Sequence, residues 1–245
     1  MKTKNIFIGM LMITFLFSFD SIAQKKKEKY AMFTTVEMKA VRGKEMALES
    51  AVKAHNAKYH TADPYKAWLE VMMTGVSSGT YVWIMGPGMF SDMDKRPNDE
   101  GHENDWNTTV DPNVMEYGAV DYWKMNDKLS FTAPNSDKNT MGEVWFIDVE
   151  KGKWEAFNAM MEKAVAVSKK KGDESMHLYS NQFNDGTGRD VALVFSFKSW
   201  SDLDIDDPFK KHYEAMHGKD SWKSFIEAWD SSISKISQNV WKVVE

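Results

Sequence analysis

The stretch Tyr81–Asp94, YVWIMGPGMFSDMD, returns 110 positions later as VALVFSFKSWSDLD at Val191–Asp204. Each copy begins with an apolar run, which predicts a strand. Each then reaches a Ser that is followed three residues later by an Asp, which predicts a helix N-cap with acids in the first turn. Ser91 and Ser201 are therefore the predicted caps. A metal site built from the paired aspartates is the less favoured interpretation.

The likeness between the two halves extends along most of the chain. Gly43-Lys44 matches Gly152-Lys153, and NDWNTTV at 104–110 matches KDSWKSFI at 219–226. A short strand-like segment closes each half, KLSFT at 128–132 and NVWKVV at 239–244. Matching segments in the same order at nearly constant spacing predict a domain-sized duplication, since solenoid repeats have periods of about 20–50 residues.

Both halves give the same order of elements, β-α-β-β-α-β. In the second half an apolar stripe at helical spacing predicts the first helix: Trp154, Phe157, Met160, Met161, Ala164, Val165 and Ser168. The matching stripe in the first half is Met46, Ala47, Ser50, Ala51 and Ala54. A second stripe predicts the last helix: Trp222, Phe225, Ile226, Trp229, Ile233 and Ile236. In the first half, Pro112 interrupts the corresponding pattern.

The start of the chain has the three parts of a secretory signal peptide. Two lysines precede the apolar run IFIGMLMITFLFSF at 6–19, and Ser21 and Ala23 are the small residues before a cleavage site. We therefore expect residues 1–23 to be removed and the protein to be exported, to the periplasm or outside the cell. The alternative is a retained N-terminal anchor. The expected organisation is a flexible basic N-terminus at 24–30, a first repeat at 31–134, a linker at 135–140 and a second repeat at 141–245.

Composition narrows the possible functions. The 245 residues carry a formal net charge of −5, and their one basic run is KKKEK at 25–29, so we expect no nucleic-acid partner. No later apolar stretch is long enough to span a membrane. The absence of Cys removes thiol nucleophiles and thiolate metal sites. The 10 Trp and 18 Met suit either a bulky core or an apolar ligand pocket.

Taken together, the repeated β-α-β-β-α-β units resemble a fused dimeric α+β barrel, which is a ferredoxin-like superfamily. Its members include antibiotic-biosynthesis monooxygenases, stress-responsive barrel proteins and NIPSNAP-like proteins. The resemblance implies an α+β fold in which the antiparallel sheets of two tandem repeats pack face to face, with helices outside. Strands that are apolar on both faces, such as Tyr81–Met85 and Val191–Phe195, suit that arrangement. No catalytic motif of the family is matched, so no catalytic residue is carried over.

Polar and aromatic residues that alternate along the predicted strands are the candidate ligand-binding residues. If their faces point into the barrel, they line a cavity with a few polar groups among aromatic ones, as small-molecule sites do. Glu70 beside Trp68 has the surroundings that raise the pKa of a carboxyl group and suit a general base. The alternative is that strand ends simply tolerate polar residues. The predicted lining residues are Glu37, Trp68, Glu70, Trp83, His177, Tyr179 and Asn181.

Other polar groups give weaker predictions of chemistry. His102, Glu103 and Asp105 lie in a breaker-rich segment that we expect to be a solvated loop, with a cation site or a pocket gate as the alternative. Glu214 and His217 share a helix face but lack the second motif that a di-iron site needs. Phosphate-binding loops, nucleophile elbows and the dinucleotide-binding fingerprint are absent.

Three functions remain open at this point. The first is an exported barrel that binds a small, largely apolar molecule in its interior. The second is an enzyme of the barrel superfamily, either a cofactor-independent oxygenase or a haem-binding protein, with His177 as the best-placed axial ligand. The third is an interaction protein whose lumen is filled by side chains such as Trp68, Trp83 and Trp145. Because one chain supplies both repeats, a monomer is sufficient, and a homodimer is the alternative.

Overall fold

The computed structural model describes residues 29–97, 99–134, 136–183, 188–206 and 208–244. The predicted signal peptide at 1–23, and residues 24–28 of the basic segment, lie outside the described residues. Within the described ranges, no helix is both long and apolar enough to cross a membrane.

Eight strands and six helices make up the described fold. The strands are β1 (Met32–Ala40), β2 (Ala67–Met72), β3 (Tyr81–Gly88), β4 (Val114–Met125), β5 (Met141–Val149), β6 (Ser175–Asn181), β7 (Val191–Phe197) and β8 (Ile233–Val243). The helices are α1 (Glu45–Tyr59), α2 (Phe90–Met93), α3 (Glu100–Asp105), α4 (Trp154–Lys171), α5 (Phe209–His217) and α6 (Ser221–Ser232). A short π-helical turn, Trp106–Val110, and a 3-10 turn, Asp111–Asn113, join α3 to β4.

All strand pairs are antiparallel, and the strands close into a barrel in the order β1-β3-β2-β8-β5-β7-β6-β4. Each half has the same internal order, in which its first strand lies between its fourth and third. The mixed α+β fold is thus as predicted. The two sheets expected from the sequence form one closed sheet, because β2 pairs with β8 and β4 pairs with β6. The duplication as the origin of the halves stays a prediction.

The strands are apolar on both faces, so the core has three layers. One lies inside the barrel, and the other two lie between the sheet and the helices of each half. Val82 and Ile84 point into the barrel, whereas Trp83, between them, points outward beneath α1. There the Trp83 indole Nε1 donates a hydrogen bond to Asn56 Oδ1 at 3.0 Å. The expectation that Trp83 lines the interior is therefore wrong. Trp145 also faces outward, against the helices of the second half, so of the three tryptophans expected in the lumen only Trp68 lies there.

The helix patterns have unequal outcomes. The α4 stripe is confirmed from Phe157 to Ser168, whose predicted residues are buried, but Trp154 at its start is 41% exposed. The α1 stripe is wrong, because Met46 is 81% exposed. The buried face of α1 is formed by Leu48, Val52, His55 and Asn56.

The repeated Ser-Asp segments do begin helices, but the cap of each helix lies two residues earlier than predicted. The residues at the caps are Met89 and Ser199. Asp92 Oδ2 accepts a hydrogen bond from the Met89 N–H at 2.7 Å, and Asp202 Oδ2 accepts one from the Ser199 N–H at 3.1 Å. These side chains satisfy helix donors that have no intrahelical partner.

The closing strands also differ from the prediction. The fourth strand of the first half is β4 at Val114–Met125, and within KLSFT only Phe131 forms a single bridge, to Met176. In the second half, β8 begins directly after α6, so Ile233 and Ile236 belong to the strand and not to the helix stripe.

Candidate functional site

A small cavity lies inside the barrel, with a volume of about 130 Å³. Residues from both halves line it, and its walls are mainly aromatic and aliphatic. Phe33 packs edge-on against Trp68 and Tyr179, at ring-centroid distances of 6.1 and 5.7 Å. The cavity therefore joins the inner faces of β1, β2 and β6, as the alternating strand pattern predicts.

Three of the predicted lining residues meet in this cavity. They are Trp68, Glu70 and Tyr179. The Trp68 indole Nε1 donates a hydrogen bond to Glu70 Oε1 at 2.8 Å. Desolvation raises the pKa of the Glu70 carboxyl group, although this hydrogen bond opposes the effect. Desolvation, together with the nearby Glu70 carboxyl, also raises the pKa of the Tyr179 hydroxyl well above its ordinary value.

Two further indole groups contribute to the cavity wall. Trp123 Nε1 donates to Thr35 Oγ1 at 3.0 Å, so its polar atom is satisfied. Trp241 Nε1 is buried and has no hydrogen-bond partner in the part of the chain that the structure describes. Buried donors are almost always paired. Together with Glu70, this indole N–H gives an apolar cavity two polar groups with unusual surroundings.

A charged network borders the cavity, and it contains two more of the predicted residues. Arg189 Nη2 contacts Glu37 Oε1 at 2.7 Å, and Arg189 Nη1 contacts Asp121 Oδ2 at 3.0 Å. Asn181 Nδ2 donates to Asp121 Oδ1 at 3.0 Å. The Arg189 guanidinium also lies 4.6 Å from the ring centroid of Phe146, which lines the cavity. Glu37 and Asn181 therefore hold this end of the barrel together and do not line the cavity.

His177 is engaged with a residue outside the barrel wall. Its Nε2 lies 2.8 Å from Thr132 Oγ1, and its ring is 6.3 Å from that of Tyr179. Burial lowers the pKa of the His177 imidazole. His177 is not among the residues lining the interior cavity, in contrast to the prediction.

A larger cleft, of about 510 Å³, lies outside the barrel, between the sheet and the helices of the second half. We call it the aromatic cleft; its aromatic lining residues are Trp145, Phe195, Phe209, Trp222, Phe225 and Trp229. Trp145 Nε1 is buried there without a hydrogen-bond partner among the described residues. In the sequence these residues form the apolar faces of separate strands and helices. That pattern does not show that a cleft remains between them, so the cleft was not predicted.

The segment expected to be a solvated loop holds a buried histidine. His102 is 7% exposed and lies in α3, next to His55 of α1 and to His60, which follows α1. These three residues are named the histidine cluster, and they line a cavity of about 480 Å³ between α1, α3 and the sheet. Neither His55 nor His60 was a candidate from the sequence. With His102 they are three of the six histidines in the chain.

His217, which was considered with Glu214 as part of a di-iron pattern, contacts other groups in the structure. His217 Nε2 lies 3.1 Å from the backbone carbonyl oxygen of Lys163, and its ring packs 4.6 Å from that of Tyr213. Within the described ranges, the histidine cluster is the one group of potential ligands that is close enough to hold an ion.

Comparison with known proteins identifies the fold. No protein-family model matches the chain, and no curated protein matches its sequence. Solved structures with a similar fold include a protein described as a candidate monooxygenase from Lactobacillus acidophilus (12% identity, TM-score 0.55, 88% of this chain and 94% of that chain). A chlorite dismutase from Candidatus Nitrospira defluvii is also similar (9%, 0.55, 89% and 93%). So is a haem-binding protein from Thermus thermophilus (9%, 0.52, 89% and 92%).

These neighbours share the α+β fold of this chain, so the predicted fold is confirmed. Identities of 9–12% establish the fold alone. The chemistry of this chain has to be argued from its own residues.

Haem fits neither the aromatic cleft nor the interior cavity. Among the described residues, the lining of the aromatic cleft contains no His, Tyr or Cys that could serve as an axial ligand, and its two methionines, Met161 and Met176, are buried in the core. That lining includes Glu143 and Glu174 but no cationic residue that would pair with the propionates. The interior cavity, at about 130 Å³, is far smaller than a porphyrin, and His177 is bonded to Thr132. Within the ranges that the structure describes, these two places therefore lack the residues that would hold haem.

Proposed function

We propose that the protein is an exported α+β barrel that binds a small, largely apolar molecule, and that the ligand lies in the aromatic cleft. The size of the two cavities supports this location over the barrel interior. Pockets for organic ligands commonly have volumes of about 300–1000 Å³. The aromatic cleft, with about 510 Å³, lies within that range. The interior cavity has only about 130 Å³, which suits a molecule no larger than benzene.

The observation that carries the proposal is the Trp145 indole N–H. It is buried in the wall of the cleft without a partner among the described residues. An unsatisfied buried donor costs about 1–3 kcal/mol. A ligand with a hydrogen-bond acceptor recovers that energy when a small shift of the Trp145 ring opens this N–H to the cleft. The preferred ligand is therefore an aromatic or alicyclic molecule that carries one carbonyl or ether oxygen.

A matched pair of probes tests this proposal. 2-Acetylnaphthalene and 2-ethylnaphthalene have similar sizes, but only the first carries an acceptor. We expect the Trp145→Phe variant to lose affinity for the acetyl compound by about 5- to 30-fold, the equivalent of about 1–2 kcal/mol, and to bind the ethyl compound unchanged. Isothermal titration calorimetry measures both affinities.

The control is Trp241→Phe, which removes the unpaired indole N–H of the interior cavity and leaves the cleft intact. It should leave both affinities unchanged. Failure of the wild-type protein to bind either probe contradicts the proposal. A loss of affinity in Trp241→Phe but not in Trp145→Phe contradicts the placement of the ligand in the cleft.

A second candidate function is proton abstraction by Glu70 in the interior cavity, in line with the oxygenase alternative. The supporting observation is the raised pKa of the Glu70 carboxyl group, in a cavity whose wall also contains Trp241, an indole with a buried and unpaired N–H. Acetone is smaller than benzene and therefore fits this cavity. Its α-proton exchange in D₂O, followed by NMR, should be accelerated by the wild-type protein and fall to background in Glu70→Gln; equal rates exclude this function.

The two halves of one chain close the barrel, so we propose a monomer. Light scattering of the secreted protein checks it, and a doubled mass indicates the homodimer. Mass spectrometry of the same sample tests export with cleavage before Gln24.

A further inference from the structure

The three imidazoles of the histidine cluster point their Nε2 atoms at one place. The Nε2 atoms of His60 and His102 are 3.1 Å apart, and those of His102 and His55 are also 3.1 Å apart. One ligand atom from each residue lies within 4.8 Å of the other two. The side chains are 1–7% exposed, so this convergence occurs in the interior and not on the surface.

The opposite nitrogen of each ring is bound to an oxygen acceptor. His60 Nδ1 lies 2.8 Å from the Tyr65 carbonyl oxygen, and His102 Nδ1 lies 3.0 Å from the Pro97 carbonyl oxygen. His55 Nδ1 lies 2.8 Å from Asp105 Oδ2. Carbonyl oxygens only accept hydrogen bonds, and so does a carboxylate. The proton of each neutral ring therefore belongs on Nδ1.

This tautomer leaves three Nε2 lone pairs facing one another. Two acceptors at 3.1 Å repel unless a proton or a cation lies between them. The arrangement suits a cation, because the lone pairs of three buried, neutral imidazoles face one another.

We propose that His55, His60 and His102 bind a divalent first-row metal ion, with zinc as the preferred ion, through their Nε2 atoms. This site is separate from the aromatic cleft and does not depend on the ligand proposed there. With Zn–N bonds of about 2.0–2.1 Å, neighbouring ligand nitrogens in a tetrahedral site are about 3.3 Å apart. The 3.1 Å found here is close to that separation. Neutral imidazole suits zinc, copper, iron and nickel, whereas calcium and magnesium prefer oxygen ligands.

The surroundings match what metal-binding histidines need. Their second nitrogen is usually held by a carboxylate or a carbonyl oxygen, which fixes the ring and raises its basicity. Asp105 has this role for His55, and it is itself held by Lys58 Nζ at 3.2 Å from Oδ1. Asp105 is therefore a positioning residue, because its carboxylate contacts a ligand ring and not the metal.

The site has an open side. All three histidines line the cavity of about 480 Å³, which also presents Arg96, Glu103 and Tyr117. Three protein ligands and a fourth position that faces a cavity are the pattern of catalytic zinc sites, since structural sites use four protein ligands. The fourth ligand is thus expected to be a water molecule or a small anion, with the Arg96 guanidinium on the same cavity wall.

Metal binding by the full mature chain, made without a histidine tag, is the direct test. Protein stripped with EDTA is titrated with Zn²⁺ against a chromophoric chelator, and Co²⁺ is added as a spectroscopic probe. We expect one Zn²⁺ per chain and the visible absorption of four-coordinate Co²⁺. His102→Ala should abolish both signals, whereas His217→Ala, which changes a histidine outside the cluster, should leave them intact.

Asp105→Asn is a second variant, which tests the metal site even if His102→Ala does not fold. The amide preserves the shape of the carboxylate but weakens its hold on His55 Nδ1, so the affinity for Zn²⁺ should fall about 10- to 100-fold with the stoichiometry unchanged. Circular dichroism checks that each variant is folded.

Three results overturn the proposal. The first is folded wild-type protein that takes up no Zn²⁺ or Co²⁺ at micromolar concentration. The second is equal binding by wild type and a folded His102→Ala variant. The third is an Asp105→Asn variant that is destabilised without any change in zinc affinity, since this is the result expected if the cluster is only a hydrogen-bonded core.

Discussion

Replacing Arg189 with Met tests how the barrel is closed. Arg189 precedes β7, and its guanidinium binds Glu37 of β1 at 2.7 Å and Asp121 of β4 at 3.0 Å. It is thus an ionic contact between the second half of the chain and the first. Met retains the apolar stem and its packing near Phe146, so the substitution removes mainly the charge and its hydrogen bonds.

The expected loss of stability follows from the contacts and their burial. A hydrogen bond between charged groups contributes about 1.5–3 kcal/mol, and breaking a buried ion pair costs about 3–5 kcal/mol because a charge is left without its partner. The side chains of Arg189, Glu37 and Asp121 are 22%, 15% and 12% exposed, so solvent reduces the effect. We expect Arg189→Met to lower the free energy of unfolding by about 3 kcal/mol, toward the lower end of that range.

Urea denaturation, followed by tryptophan fluorescence, measures this change as a lower midpoint at an unchanged slope. Arg189→Lys should lose less, because it keeps the charge without the two-pronged geometry. The triple variant Arg189→Met, Glu37→Gln, Asp121→Asn should recover most of the loss, since no unpaired charge remains. A loss below about 1 kcal/mol for Arg189→Met contradicts this account of closure, because that is the range of a solvent-screened surface pair.

Two further predictions concern the interior cavity. The pKa of Glu70 is raised by burial, so the folded state holds its proton to higher pH than the unfolded state. The contribution of Glu70 to stability therefore falls as pH rises above about 4.3. Glu70→Gln should gain stability over wild type with rising pH, at up to about 1.4 kcal/mol per pH unit in urea titrations; a pH-independent difference contradicts this. Trp68→Ala enlarges a cavity that is already present, so the loss in free energy of unfolding should lie below the roughly 3–5 kcal/mol of a fully packed Trp. Calorimetry should also detect new binding of naphthalene. A larger loss without binding shows that Trp68 is an ordinary core residue.

The strands could be predicted because their apolar residues are contiguous and bounded by turn residues. The predicted strand that begins at Tyr81 is β3, and the one that begins at Val191 is β7. Because these apolar runs are contiguous, they do not show which face of a strand points into the barrel. Val82, Trp83 and Ile84 are all nearly fully buried, so hydrophobicity alone does not separate the inner from the outer face, and Trp83 was assigned to the wrong one. The pairing of β2 with β8 decides closure, and it depends on contacts far apart in the chain.

The histidine cluster could not be predicted for a related reason. Small residues at helical spacing predicted the buried face of α1, whereas the face actually buried contains His55 and Asn56. Both polar side chains are satisfied by distant segments, His55 by Asp105 and Asn56 by Trp83. Burial of a polar residue depends on such partners, and a local pattern of hydrophobicity does not reveal them.

The two clefts outside the barrel occupy corresponding places in the two halves, yet their chemistry differs. When α1 is aligned with α4 through Gly43-Lys44 and Gly152-Lys153, His55 corresponds to Ala164. In the first half that position supplies an imidazole to the histidine cluster, while in the second half Ala164 lines the aromatic cleft. A methyl group at this point leaves room that an imidazole would fill. The same helix position can thus favour a cation in the first half, where it is His55, and an apolar ligand in the second half, where it is Ala164. For this reason we propose separate functions for the two halves.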